Sequence, residues 1–161
     1  MTCHVDQLTC SGFVSELCDN PLVQSMDHLV CVDKKGINKL AKSDVTAVLL
    51  PLADFYLKMK YPPARDLIDH GARVALSTDF NPGSAPSQDL SMVGVLARLE
   101  MNMSLAEVIA AYTLNAAYAL GMQEKLGSLT PGKSAQFISL SDDFDKLFYS
   151  VGHHPVNKLF F

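Results

Sequence analysis

Long apolar runs and blocks of basic residues are both missing from this sequence. The longest largely apolar stretch, 45–57, is interrupted by Pro51 and Asp54, so no segment can span a bilayer as a helix. The net charge is −4, and no patch of Lys and Arg offsets it. We therefore expect neither nucleic acid nor an anionic membrane as a partner. Residues 1–6 have neither the basic nor the apolar part of a secretory signal, so we expect a cytoplasmic protein.

Closely spaced cysteine pairs are missing as well. The four cysteines at positions 3, 10, 18 and 31 include no Cys-x-x-Cys pair and do not resemble a dense disulfide framework. This pattern is typical of reduced, mostly buried thiols in the cytosol. A structural zinc site built from Cys3, His4, Cys10 and Cys18 is an alternative, although the spacing matches none of the usual zinc scaffolds.

What the sequence does contain is a strand–helix alternation in a chain of 161 residues, 48% of them hydrophobic. This length and composition are sufficient for one globular domain with a sizeable core. The apolar pattern predicts strands at 22–29, 45–50, 73–77 and 137–140, helices at 11–19, 33–41, 62–71, 90–99 and 104–121, and a loop at 53–61. Strands alternating with helices at these spacings indicate βα units around a parallel sheet.

The stretch that organises the chain is 74–84, where an apolar strand ends abruptly in Asp79 and the turn residues Asn81, Pro82, Gly83 and Ser84. A carboxylate placed where a buried strand gives way to a loop is typical of α/β-barrel active sites. The alternative is structural, because Asp79 and Ser84 could simply cap the following helix.

Two histidines occupy comparable positions at other predicted strand ends. His4 and His28, together with Asp79, offer nitrogen and oxygen donors of the kind that a hydrolytic metal site uses. Strand ends on one face of a barrel converge on one pocket, so we expect the three side chains to meet. Taken singly, each histidine could equally be a satisfied polar group without a catalytic function. His153 and His154 near the C-terminus are adjacent, and we assign them no site.

Several motifs resemble those of imidazolonepropionases, metal-dependent amidohydrolases of histidine degradation. His4-Val-Asp-Gln7 is similar to their strand-five motif, and Asp27-His28-Leu29 to their strand-six motif. The run 47–51 with 60–63 is similar to strand seven and its loop, and the run 79–84 to strand eight. The matches follow the family order from about residue 4 to residue 133.

This resemblance implies a role for each matching residue. His4 and Asp79 would bind a single divalent metal, zinc or iron, and Asp79 would also accept a proton from the attacking water. His28 would polarise the substrate carbonyl or orient the water. The remaining positions would contact a small-molecule substrate or its product, and these are Gln7, Asn81, Gly83 and Ser84.

The resemblance also implies a fold class. We expect an α/β fold that forms the C-terminal half of a (β/α)8 TIM-type barrel, about strands 5–8, plus a C-terminal helix and part of a small β-sandwich appendage. Residues 1–121 would form the partial barrel, and residues 122–161 the β segment of the small domain and a tail. The family's strand-one His-x-His pair has no counterpart here, and a complete barrel takes roughly 250 residues.

Two functional hypotheses follow. The first is hydrolysis of the cyclic amide of 4-imidazolone-5-propanoate to N-formimidoyl-L-glutamate, or a related reaction of another cyclic amidase or deaminase of the superfamily. The second is a non-catalytic half-barrel, because His4 and Asp79 without further ligands should hold metal weakly. A homodimer that closes a barrel from two halves is conceivable. We expect the family activity to be absent from the isolated chain.

Overall fold

The computed structural model describes residues 1–161, and its central element is a parallel sheet of four short strands. The strands pair in sequence order, each with the next: β1 (Thr2–Val5), β2 (Ser25–His28), β3 (Thr46–Leu49) and β4 (Val74–Leu76). A parallel neighbour requires a crossover connection, and helical segments supply it between consecutive strands. The prediction of βα units around a parallel sheet is confirmed.

Seven helices surround or extend this sheet. No helix has the length and the apolar character needed to cross a membrane. The helices are α1 (Val14–Leu17), α2 (Lys34–Leu40), α3 (Pro51–Leu57), α4 (Ala64–Asp69), α5 (Leu90–Leu99), α6 (Leu105–Tyr112) and α7 (Leu114–Ala119).

The core lies between one face of the sheet and the helices. Met26, Ala47 and Val74 are aligned across three neighbouring strands, and all three are buried in the same hydrophobic cluster. The alternate positions face the other way, because side chains change face at every residue of a strand. His4, Asp27 and Val48 are aligned on this second face, so the sheet places polar side chains on the side away from the main core.

Two predicted helix starts are confirmed in atomic detail. The Asp33 side chain accepts a hydrogen bond from the Gly36 amide at 2.7 Å and caps α2. At the start of α6, the Ser104 hydroxyl accepts from the Glu107 amide while the Glu107 carboxylate accepts from the Ser104 amide. This reciprocal arrangement is a capping box, which satisfies two of the otherwise unpaired amides of the first turn.

The predicted loop at 53–61 is wrong, because most of this segment belongs to α3. Pro51 occupies the first turn of that helix rather than ending the preceding strand. Proline suits this position, since the first helical amides have no intrahelical partner and its fixed φ is already helical. The helix ends at Lys58, which adopts a left-handed conformation with φ 55°.

The predicted continuous helix at 104–121 is also wrong, because it is divided at Thr113. This residue has φ −115° and ψ −91°, outside the helical region, and separates α6 from α7. The Thr113 hydroxyl donates to the Ile109 carbonyl at 2.7 Å, a local bond that competes with continuation of the helix. The structure also shortens the predicted helix at 11–19 to α1 and the predicted strand at 22–29 to β2.

The C-terminal segment forms a second, antiparallel sheet from β5 (Phe137–Leu140) and β6 (Val156–Phe160). The first of these strands was predicted and the second was not. The intervening chain returns to the helix layer, where Arg98 donates to the carbonyls of Leu147 and Phe148. The Phe148 ring lies directly over Gly94, where a β-carbon would meet it at 2.3 Å, so only glycine fits there without a shift.

Candidate active site at the carboxyl ends of the strands

Five titratable side chains gather at the carboxyl ends of the parallel strands. His4 belongs to β1, Asp27 and His28 to β2, and Asp54 to the helix after β3, while Asp79 follows β4. The charge of Asp79 contributes to the pKa of Asp27, His28 and Asp54, which reflects their proximity. The structure therefore brings the predicted residues His4, His28 and Asp79 to one edge of the sheet and adds two carboxylates.

The two histidines contact each other directly. His4 Nδ1 lies 3.2 Å from His28 Nε2, and the ring centroids are 5.2 Å apart. One of the two nitrogens must carry the proton in this contact. If His4 Nδ1 donates, His4 Nε2 keeps a free lone pair and can bind a metal; with the opposite tautomer, Nε2 of neutral His4 is protonated and cannot. The contact therefore makes the availability of the His4 Nε2 lone pair depend on the tautomer of His28.

His28 itself is almost wholly buried. Its exposed fraction is 4%, and its Nδ1 atom has no hydrogen-bond partner within the chain. Burial lowers the pKa of His28, with the charge of Asp79 acting in the opposite direction. The backbone is left-handed at His28 and at Leu29, with φ of 74° and 58°. Non-glycine residues in this region carry strain, and such strain tends to accumulate at functional sites.

Asp27 is a member of the cluster to which sequence reasoning gave no role. It is aligned with His4 across β1 and β2, and its Oδ2 lies 3.6 Å from His4 Nδ1. Burial raises the pKa of Asp27 to about 6, with His4 opposing the rise and Asp79 adding to it. The available signal was an acidic residue inside a strand that is otherwise buried.

Asp54 was missed as a site residue, because its segment was predicted as a loop. It is completely buried, and neither carboxylate oxygen has a hydrogen-bond partner within the chain. Burial raises the pKa of Asp54 to about 7, and the charge of Asp79 adds to the rise. A buried, unpaired carboxylate is costly in its charged form, so the group favours the neutral acid.

The loop after β4 is organised by the side chain of Asn81. Its Nδ2 donates to the Asp79 carbonyl and to the Ser84 hydroxyl, both at 2.7 Å, while its Oδ1 accepts from the amides of Gly83 and Ser84 at 2.8 Å. Both donors and both acceptor positions of the amide are then in use. The Ser84 hydroxyl, which accepts in this arrangement, keeps its own proton for another partner. Asp79 has a left-handed backbone with φ 55°.

Gln7 lies in the loop after β1, next to the segment that follows β2. The Gln7 carbonyl accepts a hydrogen bond from the Cys31 thiol at 3.7 Å, and its side chain is half-buried. This loop therefore contacts the segment that follows His28.

The donors at this edge suit a divalent transition metal only in part. An imidazole from His4 and a carboxylate from Asp79 are ligand types that zinc and iron accept. No three His, Cys, Asp or Glu side chains are arranged so that they could hold a metal ion. The alternative zinc site at Cys3, His4, Cys10 and Cys18 is not formed either, and all four cysteines are free. The chain thus offers part of a metal-ligand set.

A comparison with protein-family models gives one match, the Amidohydrolase family, over residues 10–159. The chain belongs to the amidohydrolase family. Catalysis at the carboxyl ends of parallel strands is the rule for α/β barrels, so the cluster lies where an enzyme of this architecture would have its active site.

Curated relatives of this amidohydrolase chain include several imidazolonepropionases. The protein from Bdellovibrio bacteriovorus is 57% identical over 157 residues, which is 98% of this chain and 37% of that protein. The proteins from Solibacter usitatus and Bacillus velezensis are 41% and 43% identical, over 98% and 97% of the chain and 38% and 37% of their own lengths. The resemblance inferred from the motifs is confirmed, and the chain spans well under half the length of these relatives.

Solved amidohydrolase-like structures share the fold at low sequence identity. An adenosine deaminase from Xanthomonas campestris with bound zinc superposes with a TM-score of 0.81 and 20% identity, over 99% of this chain and 43% of that one. An atrazine chlorohydrolase from Arthrobacter aurescens, complexed with zinc, gives 0.73 and 20% over 84% and 34%. At 20% sequence identity, these superpositions show a shared fold and nothing about function.

Proposed function

We propose that this chain is part of an imidazolonepropionase, which hydrolyses the cyclic amide of 4-imidazolone-5-propanoate to N-formimidoyl-L-glutamate. The observation that carries the proposal is the 57% identity to the Bdellovibrio bacteriovorus imidazolonepropionase over nearly the whole chain. We further propose that the 161 residues alone do not turn over, because the chain offers only part of a metal site. The deaminase and the chlorohydrolase with the same fold are only 20% identical to this chain, so they support an assignment of the reaction less strongly.

The proposal includes an architecture. The four parallel strands would be strands five to eight of a (β/α)8 barrel, with residues 1–121 forming the half-barrel and residues 122–161 the β segment of a small domain. The sequential order of the strands and the superposition on a zinc-containing deaminase support this arrangement. Both edge strands, β1 and β4, are available for pairing with further strands, from the rest of a longer protein or from a second copy in a homodimer.

His4 and Asp79 would hold one divalent metal, zinc or iron, and the metal would act as a Lewis acid that also lowers the pKa of water. The zinc in two structural neighbours supports a metal of this type. Asp79 would accept a proton from the attacking water and deliver it to the ring nitrogen as the amide bond breaks. Its left-handed backbone and the Asn81 bond to its carbonyl would hold the carboxylate in one orientation.

His28 would polarise the ring carbonyl or orient the water. Its burial favours the neutral imidazole, which can donate one hydrogen bond without adding a charge to the site. The substrate would contact Gln7 and the loop formed by Asn81, Gly83 and Ser84, where the Ser84 proton is free to be donated. We also propose a cytoplasmic location, which the free cysteines support, and no partnership with nucleic acid or membranes.

A hybrid enzyme tests the proposal. This chain replaces the matching 157 residues of the Bdellovibrio bacteriovorus imidazolonepropionase, and turnover of 4-imidazolone-5-propanoate and metal content are measured. We expect a metal-loaded, active hybrid and an inactive isolated chain. A folded hybrid that binds metal but has no turnover contradicts the catalytic assignment and favours the non-catalytic half-barrel. Turnover by the isolated chain, abolished by Asp79→Asn, contradicts the claim that this chain needs a complement.

A further inference from the structure

Asp6 stands between two proposed site residues and has an unusual conformation. It directly follows β1, two residues after His4 and one before Gln7. Its backbone is left-handed, with φ 51°, and its exposed fraction is only 5%. Left-handed conformations are uncommon for non-glycine residues, and a buried carboxylate needs partners, so local interactions must hold Asp6 in place.

The Asp6 carboxylate closes the loop that carries Gln7. Its Oδ1 accepts from the Ser11 amide at 2.7 Å and from the Ser11 hydroxyl at 2.6 Å. Hydrogen bonds to an ionised carboxylate are shorter and stronger than neutral ones. The two bonds join the ends of the segment 6–11, so the intervening residues have little freedom to move away from the strand end.

A second contact ties the same loop to the neighbouring strand connection. The Asp6 carbonyl accepts from the Cys31 amide at 2.7 Å, and the Gln7 carbonyl accepts from the Cys31 thiol at 3.7 Å. Cys31 lies three residues after His28, so the loop that bears Gln7 is fixed relative to the segment that bears His28.

We propose that Asp6 is a positioning residue that holds Gln7 in the place where it meets the substrate. This inference rests on the proposed function, in which Gln7 is a substrate contact. Asp6 does not touch the reacting atoms; its carboxylate bonds to Ser11 and its carbonyl to the Cys31 amide, and these bonds fix the loop that carries Gln7 at both ends. Loss of the carboxylate therefore weakens substrate binding by the same route as loss of the Gln7 side chain.

The first experiment uses the full 161-residue chain and measures amide hydrogen exchange. Asp6→Ala removes both bonds from Ser11, and we expect exchange of the Ser11 amide to rise by roughly tenfold or more, since its hydrogen bond is lost. Asp6→Asn keeps an acceptor and tolerates a left-handed backbone, so exchange should stay near that of the wild type. Asp142→Ala is the matched control: it removes another carboxylate that accepts from a backbone amide and from a side chain, here those of Asp143 and Lys146 in the C-terminal segment. Unchanged exchange in Asp6→Ala overturns the anchoring.

The second experiment uses the hybrid enzyme and a double-mutant cycle. We expect Asp6→Ala to raise KM by roughly tenfold with a smaller effect on kcat, because an interaction of ground-state binding is lost. Gln7→Ala should do the same, and the Asp6→Ala/Gln7→Ala double variant should be little worse than either, since residues acting through one another are not additive. Asp6→Asn should keep the KM near that of the wild type, and Asp142→Ala should leave it unchanged.

The outcomes separate the two proposals. Fully additive effects, or an unchanged KM in Asp6→Ala, overturn the positioning role while leaving the proposed function intact. If Asp6→Ala does not fold, Ser11→Ala keeps the amide bond to Asp6 and removes the hydroxyl bonds to Asp6 and from the Phe13 amide. It should raise KM by a few fold, and no change there overturns the role as well. A wild-type hybrid without turnover overturns the proposed function, and the exchange experiment then decides the anchoring on its own.

Discussion

Charged groups at the strand ends and charged groups in the helix layer differ in how completely they are paired. At the strand ends, Asp54 is buried without any partner and His28 has one unpaired ring nitrogen. In the helix layer, Arg65 donates two hydrogen bonds to Glu107, at 3.0 and 2.8 Å, and Glu107 also completes the capping box with Ser104. Buried polar groups are normally satisfied, so the unpaired ones mark the edge where other groups are expected to bind.

The two regions shift the pKa values of these carboxyl groups in opposite directions. The hydrogen bonds from Arg65 hold the pKa of Glu107 down to about 2, whereas burial raises the pKa of Asp27 to about 6 and that of Asp54 to about 7. The Arg65 side chain therefore stabilises the Glu107 carboxylate in the charged form, whereas burial favours the neutral acid at Asp27 and Asp54. A site that keeps carboxylates poised near neutrality can exchange protons, while a structural pair cannot.

The backbone shows the same contrast. Left-handed non-glycine residues lie at the ends of three parallel strands, and these are Asp6, His28, Leu29 and Asp79. Of the other left-handed non-glycine residues, Lys58 terminates α3. Strain at a helix end is an ordinary C-cap, whereas strain at three neighbouring strand ends indicates a shaped binding edge.

The largest expected effect comes from Asp79→Asn in the hybrid enzyme. Asparagine tolerates the left-handed backbone, so the loop should keep its shape while the carboxylate that we propose as proton acceptor and metal ligand is lost. We expect kcat/KM to fall by roughly 10²–10⁴-fold, the usual range for a general base, together with lower metal content. Asp142→Asn, in the C-terminal segment, should leave turnover unchanged. An Asp79→Asn hybrid with the activity of the wild type would show that the unpaired groups at the strand ends do not serve catalysis.

The second effect concerns pH and Asp54. The pKa of Asp54 is about 7 in the folded chain and 3.8 in the unfolded chain. The stability that Asp54 contributes is therefore fully present below about pH 4 and is lost as the pH rises through about 7. The shift corresponds to about 4 kcal/mol at most. We expect Asp54→Asn to gain stability over the wild type at pH 8 but not at pH 4, measured by urea unfolding. The stability of Asp54→Asn should still fall with rising pH, because the pKa of Asp27 is also raised. If the stability of both proteins depends on pH in the same way, Asp54 does not have a raised pKa.

A smaller effect is expected from Glu107→Ala in the helix layer. The substitution removes one half of the capping box and the partner of Arg65, which should lower the free energy of unfolding by about 1–2 kcal/mol. Denaturant titration at neutral pH measures it. Because the pKa of Glu107 is lowered, its contribution is present at neutral pH and disappears as the pH falls toward 2. A loss that persists unchanged in acid would contradict the ion-pair explanation.

The smallest effect is expected from Asp69→Ala. Asp69 accepts from the same Arg65 guanidinium at 2.9 Å, but its side chain is 60% exposed. Exposed pairs of this kind contribute within about 0.5 kcal/mol, so the midpoint of unfolding should hardly move. A loss as large as that of Glu107→Ala would mean that the three charges act as one network.

Local signals in the sequence predicted the features that depend on neighbouring residues. The caps at Asp33 and Ser104 were predicted correctly, because a capping side chain bonds to an amide three residues away. The helix at 90–99 was predicted with its exact bounds. The loop prediction for 53–61 failed because proline was treated as the end of a strand, although it can equally open a helix.

The residues of the candidate site also fall into two groups, those that local signals predict and those that they do not. His4, His28 and Asp79 could be named because each stands at the end of an apolar segment, and the motifs around them resemble a known family. Asp27 and Asp54 were not named, because a single acidic residue in an apolar run has no local property that distinguishes a surface position from a buried one. Their perturbed pKa values arise from burial, which distant segments create.

The sequence by itself determined the βα alternation, the starts of α2 and α6, the family and the chemical types of the site residues, because these follow from local hydrogen bonding and short motifs. Only the tertiary structure decided that His4 contacts His28, that Asp27 and Asp54 join the cluster, and that β6 pairs with β5. Parallel strands bring together residues dozens of positions apart, and burial between them sets the protonation of each group. Neither effect is visible in a window of neighbouring residues.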